Sequence, residues 1–455
     1  MERMPVELVL EVLQHAGAIL PQDVLDALCE GISDVRGLGL RRRKYRSGPY
    51  SAHQELEDLF YGAVKVRAAL VLVCRQWYRI FVPFLYSIFY AGSLHPAKVI
   101  LRTLDAKRDL RTHMKQIIAI SADLESWTTD FPDTIDSLVS LCRKVVRLTL
   151  LHRDKLTDDA GGPLSGMPLI RRTAHKWNHL RHLALSSITW ESFVAYVVAI
   201  AGSSKLQSLY IHRVSLQRMD LTEASRYLPP HRDLFSLREL VITDASHACL
   251  DLLRFYRFSR LRSFTFQGDM NDSTDLALAA FIGPGFFSLE YLSIPYSALR
   301  YQQVILPTGS YTISTQLRTL VLTLSNLDNA VGAPKFPRIP LHKVETLRIT
   351  GTNQPSLTLP TKHAFRVWLG GLCDKRRMPD LGQIQIGAVL GELKKEEIEL
   401  VEPFLTRMET LLRVKKVALE VLDTSGTKFE TLSAVLDAAC IKIVDSDLAP
   451  SANSG

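Results

Sequence analysis

One short pattern, apolar-x-x-apolar-x-apolar, recurs along most of this chain and constrains its fold more than any other feature. It appears as Val145, Leu148, Leu150; Leu180, Leu183, Leu185; Leu206, Leu209, Ile211; and Leu237, Leu240, Ile242. It continues as Leu261, Phe264, Phe266; Leu289, Leu292, Ile294; Leu317, Leu320, Leu322; and Val344, Leu347, Ile349. Later copies are Leu381, Ile384, Ile386 and Val414, Val417, Leu419, and an earlier degenerate copy ends at Ile118 and Ile120. Successive starts are 24 to 37 residues apart.

The last two apolar positions are two apart, so they point to the same side of a strand. The first packs where the strand begins. Between strands there is enough chain for a helix. Residues 192 to 200 place Phe193, Val197 and Ile200 on one helical face; residues 276 to 282 and 363 to 372 read the same way, the latter with Phe365, Trp368, Leu369 and Leu372. Each strand–helix unit leaves its apolar side bare until a neighbour covers it, so the units must stack. The pattern resembles the leucine-rich repeat, whose units are commonly about 20–29 residues long. The resemblance implies an α/β architecture in which parallel strands form one continuous surface. Eight residues after the first apolar position the family has Asn or Cys; here that place holds Arg153, Ile188, Val214, Ala245, Asp269, Ser297, Ser325, Thr352, Val389 and Leu422. An irregular, degenerate solenoid is therefore expected over 93–445. The alternative is an α/β domain of another topology, with helices on both faces of a parallel sheet.

The N-terminal part reads differently. Residues 4 to 13 are Met-Pro-Val-Glu-Leu-Val-Leu-Glu-Val-Leu. Pro5 suits a first helical turn, Glu7 favours the positive end of the helix dipole, and Leu8, Val9, Val12 and Leu13 make one apolar face. A helix this short must dock on something to persist. Residues 69 to 79 bring an apolar run ending in Val73, Cys74, Arg75 and Trp77. These two stretches resemble the two halves of an F-box, with Met4 in place of the usual Leu. The gap between them is longer than an F-box allows. It contains an amphipathic helix over 21–32, with Val24, Leu25, Leu28 and Ile32 on one side, and a polar insertion over 33–54. The reading is a small helical F-box-like module over 1–92 joined to the repeats by a helix over 94–110. A last helix over 429–439 and a closing strand over 441–444 follow, then a disordered tail over 446–455.

The F-box resemblance implies docking on a Skp-family adaptor, and through it a cullin, by Met4, Pro5, Leu8, Val12, Leu13, Val73, Cys74 and Trp77. The whole chain would then be the substrate-recognition subunit of an SCF-type ubiquitin ligase. The other reading is a stand-alone leucine-rich-repeat interaction scaffold, with the N-terminal helices only capping the stack. In either case a target protein is expected on the outward strand positions, two and four after each first apolar residue. That row includes His182, Tyr210, Glu239, Tyr291, Arg348, Gln383 and Gln385, together with Ala184, Ser208, Ser293 and Val321. Its mix of aromatic, charged and apolar groups suits protein recognition. It carries no single-sign field of the kind a polyanion needs.

Composition excludes several classes. The chain has 455 residues, 47% hydrophobic and 22% charged, with net charge +8. That charge is mild over such a length and does not imply a nucleic-acid partner. The strongest basic run, Arg41, Arg42, Arg43, Lys44 and Arg46, lies in the insertion and reads as a solvated loop or an import signal. No stretch is long and apolar enough to span a membrane, and the N-terminus lacks a secretory h-region. A cytoplasmic or nuclear location is expected. The six cysteines (Cys29, Cys74, Cys142, Cys249, Cys373 and Cys440) form no Cys-x-x-Cys pair and read as small buried hydrophobes. His53 and Glu55 lack the cysteine pair of a zinc deaminase; His175 and His179 lack the acid of His-Glu-x-x-His. No cofactor, no metal and no active site are expected.

Overall fold

The structure, a computed structural model, describes residues 64–65, 68–121, 130–152, 179–189, 193, 197, 205–215, 234, 236–243, 247–267, 272–282, 288–295, 316–324, 343–351, 379–387, 418–422 and 428–429. The chain divides into two compact units, Met1–Arg257 and Phe258–Gly455.

In the first unit, helix α1 (Arg75–Leu85) follows short helical stretches over 64–65 and 68–71. It buries Phe81 and Val82, and Trp77 lies against Phe81 with ring centroids 5.5 Å apart. Pro83 lacks an N–H for the last turn, and the helix stops two residues later. Strand β1 (Ile88–Ala91) follows, then helix α2 (Leu94–Ala106) and a 3-10 turn over Arg108–Thr112. Five further strands come in chain order: β2 (Gln116–Ser121), β3 (Arg147–His152), β4 (His182–Thr189), β5 (Ser208–Ser215) and β6 (Glu239–Thr243). All six pair in parallel, each with its sequence neighbour. Helix α3 (Asp130–Leu141) lies between β2 and β3, and α4 (His247–Leu253) follows β6.

The register explains the repeat. Ile117, Leu148, Leu183, Leu209 and Leu240 pair in succession across five strands, and all five are fully buried. The first apolar positions, Val145, Leu180, Leu206 and Leu237, are buried beside them. Residues 193 and 197 are helical and fully buried, as their spacing predicts. Helix α3 adds Phe131, Ile135, Leu138 and Val139, and Lys98 of α2 closes on Asp130 at 2.8 Å.

The second unit repeats the scheme. Strands β7 (Ser263–Gln267), β8 (Tyr291–Pro295), β9 (Thr319–Leu324), β10 (Thr346–Gly351), β11 (Gln383–Gly387) and β12 (Ala418–Leu422) are parallel neighbours in chain order. Phe264, Leu292, Leu320, Leu347, Ile384 and Leu419 stand side by side. Helix α5 (Asp272–Ile282) packs Phe281 against Phe264 and Phe258, with centroids 5.3 and 5.7 Å apart. Parallel strands in chain order, led in by an apolar residue and linked where described by helices, form the stacked strand–helix units that the spacing predicts.

Within each unit, most neighbouring strands are locked together by a device the pattern does not reveal. The carbonyl of Lys115 accepts from the N–H groups of both Val146 and Arg147, at 2.8 and 3.2 Å. Val146, Arg181 and Gln207 carbonyls do the same for the next strands, and Arg262, Glu290, Arg318 and Glu345 repeat it in the second unit. A carbonyl has two lone pairs, so one acceptor satisfies two donors that would otherwise be left bare at the strand start.

Three readings are corrected. The early repeat copy places Ile117 and Ala119, not Ile118 and Ile120, opposite Leu148 and Leu150. A one-residue slip exchanges the two faces of a strand, and the run Ile117–Ile118–Ala119, buried throughout, hides which face is which. Residue 429, expected to open a helix, lies in strand β13 (Lys428–Phe429), antiparallel to β12. Strand β1 was not foreseen; it pairs with β2 inside the range read as helical. The helices expected over 4–13, 21–32 and 363–372, the insertion over 33–54, the strand over 441–444 and the tail over 446–455 lie outside the described residues.

Candidate interaction surfaces

The second half of the N-terminal motif forms an exposed corner. Leu72 and Val73 sit in the turn before α1 and are 83% and 60% exposed. Cys74, at the helix N-cap, is also exposed. Tyr78 follows at 45% exposure. The turn is closed by backbone bonds from Leu72 N–H to Ala69 O and from Val73 N–H to Leu70 O, at 3.1 and 3.3 Å. These bonds hold two large apolar side chains out in water, a placement that marks docking surfaces. Trp77 departs from this group. It is half-buried and lies against Phe81, one turn further along the same helix. The motif's other residues, Met4, Pro5, Leu8, Val12 and Leu13, lie outside the described residues.

The strand face is less open than its alternation implies. In the first unit Ile118, Thr149 and Ala184 stand in one row across β2 to β4, and all three are buried. These strands are therefore covered on both sides. The row opens at Tyr210 and Val241, which are half-exposed. His182 is half-exposed, whereas Ser208 beside it is buried. Tyr210 donates to Glu239 Oε2 at 2.6 Å, and His212 Nδ1 lies 2.6 Å from Thr243 Oγ1. Two expected target-binding residues are thus already partners of each other.

In the second unit Ser293, Val321, Arg348 and Gln385 form one row. Tyr291, Thr319, Thr346 and Gln383 form the next. Ser293 and Val321 are buried; Tyr291, Arg348, Gln383 and Gln385 are half-exposed. Burial pushes the Tyr291 hydroxyl above its ordinary range, while the nearby Arg348 charge and a hydrogen bond with Ser293 pull it back. Thr346 Oγ1 donates weakly to Gln383 Oε1 at 3.4 Å. The four expected residues Tyr291, Arg348, Gln383 and Gln385 thus lie on adjoining rows of one continuous face.

Sequence reasoning missed a basic edge in the first unit. The turns leading into β2 to β6 carry Lys115, Arg143, Lys144, Arg181, Lys205 and Arg238, all exposed. The signal was present in the residues flanking each first apolar position.

Cys142 is fully buried, and burial pushes its thiol up to about 11 despite the nearby Arg111. Cys249 is buried too. Cys74 is the exception to the expectation of buried thiols. Among the described residues no group of three or more His, Cys, Asp or Glu side chains is placed to hold a metal. No helix among them is long and apolar enough to cross a membrane.

No known family's sequence model and no curated protein matches this chain. Among solved structures it is similar to the leucine-rich repeat-containing protein LegL7 from Legionella pneumophila. The identity is 11%, the TM-score 0.38, and the match covers 78% of this chain and 98% of that one.

Proposed function

We propose that this chain is a leucine-rich-repeat interaction scaffold that serves as the substrate-recognition subunit of an SCF-type ubiquitin ligase. The observation that carries the docking half is the Leu72–Val73–Cys74 corner, two large apolar side chains and a thiol held out by a closed turn. These positions coincide with the F-box-like stretch, and a Skp-family adaptor is the partner that the resemblance implies. The recognition half rests on the half-exposed strand face, which offers hydroxyl, amide, aromatic and guanidinium groups on a rigid parallel sheet. Such a chain acts by proximity. It holds a target beside a ubiquitin-conjugating enzyme and raises effective concentration, with no reacting group of its own.

Co-elution of the full chain with a Skp-family adaptor and a cullin on size exclusion tests the ligase half. A ternary peak supports it. A chain that elutes apart from an intact adaptor–cullin pair leaves the scaffold without the ligase.

A further inference from the structure

On the face of the second unit, Arg348 is the one formal charge that strands β7 to β11 present outward among the described residues. Its neighbours in the row are Val321 and Gln385; Tyr291 and Thr346 lie in the adjoining row. The acid Glu420 stands two strands further on, about 10 Å along the sheet. The Arg348 side chain is half-exposed, yet its Nε is buried and has no hydrogen-bond partner. A guanidinium carries five donors and no acceptor, so a buried N–H on it needs an oxygen. Leaving one unpaired is costly, and a partner that supplies the oxygen removes that cost only in the bound state. Val321, between Ser293 and Arg348, is 5% exposed although its strand face is the outward one. The floor of the site is therefore dry, and charge-assisted bonds above it gain strength.

We propose that Arg348 anchors an acidic side chain, Asp or Glu, of a bound protein segment. The carboxylate draws the guanidinium edge outward and accepts from Nε–H and one Nη–H together, the bidentate geometry that Arg favours. The Tyr291 hydroxyl and the Gln385 amide flank the site and select an extended polar segment. One cation among neutral hydroxyls and amides matches one carboxylate, whereas a phosphate polymer or an anionic membrane calls for several cations together. The inference rests on reading the strand face as a recognition surface and names the chemistry of its partner.

The test is selection of displayed random linear peptides on the immobilised full chain, run in parallel on Arg348→Gln and Arg348→Lys. The wild type is expected to enrich peptides with Asp or Glu at one fixed position. Those peptides should bind Arg348→Gln about tenfold or more weakly, with Arg348→Lys in between. Changing the fixed acid to its amide should lose the same factor on the wild type and nothing further on Arg348→Gln. Matching thermal unfolding of the variants excludes misfolding as the cause. Enriched peptides without a fixed acid, or with equal affinity for Arg348→Gln, overturn the carboxylate anchor and leave the recognition face standing. Enrichment on none of the three proteins overturns both. Arg348-dependent binding of phosphatidylserine vesicles in place of peptides also overturns the proposal.

Discussion

Tyr210 reaches one register step diagonally across the sheet and donates a 2.6 Å hydrogen bond to Glu239. Both residues sit on the face expected to bind a target, and the contact ties them into one unit. A phenol-to-carboxylate bond in a half-buried setting is charge-assisted. Tyr210→Phe should therefore lower stability by about 1–2 kcal/mol. Combined with Glu239→Gln it should be non-additive by roughly 0.5 kcal/mol or more. Chemical denaturation of the four proteins in the cycle measures this. Additive losses would show that the two side chains act separately.

Thr149 is fully buried, and its hydroxyl has no hydrogen-bond partner. It stands between Ile118 and Ala184 in an otherwise apolar row. Thr149→Val keeps the shape and removes the unpaired hydroxyl, so it should raise stability by about 1 kcal/mol. The midpoint of urea unfolding reads this directly. A fall of the same size would mean that the hydroxyl has an acceptor.

The thiols should separate by exposure. At neutral pH a maleimide should modify Cys74 in the folded chain and leave Cys142 and Cys249 untouched until denaturant is added, as followed by peptide mass mapping. Burial pushes the Cys142 thiol from 9.0 to about 11. The folded state thus favours the neutral thiol, a preference fully present below about pH 9. Stability should fall as pH rises from about 9 to about 11, and Cys142→Ala should remove that part of the decline. Early labelling of Cys142 in native protein would contradict its burial.

The stack was legible because its period is carried by side chains that must be buried. Leu148, Leu183, Leu209 and Leu240 declare their common face by spacing alone, and the register matches it residue for residue. Strand β1 was hidden because its single run, Ile88–Phe89–Tyr90–Ala91, has no alternation and follows a helix directly. The doubly accepting carbonyls were hidden because backbone donors leave no mark on residue identity. The outward row was legible as a row but not as a surface. Alternation says which way Ala184, Ser208 and Val321 point, while their burial depends on what covers them. The N-terminal corner shows the same limit. Val73, Cys74 and Trp77 belong to one motif, yet two are exposed and the third packs on Phe81.

The central claim is that the exposed corner before α1 docks a Skp-family adaptor. Its most direct test is the affinity of the full chain for purified adaptor, measured beside a Leu72→Ser, Val73→Ser variant. Both side chains are largely in water, so the variant should unfold at the same temperature as the parent. The account predicts binding by the parent and a loss of about tenfold or more in the variant, as expected for anchors at an interface centre. Equal affinity of the two proteins, or no binding by the parent, would contradict it.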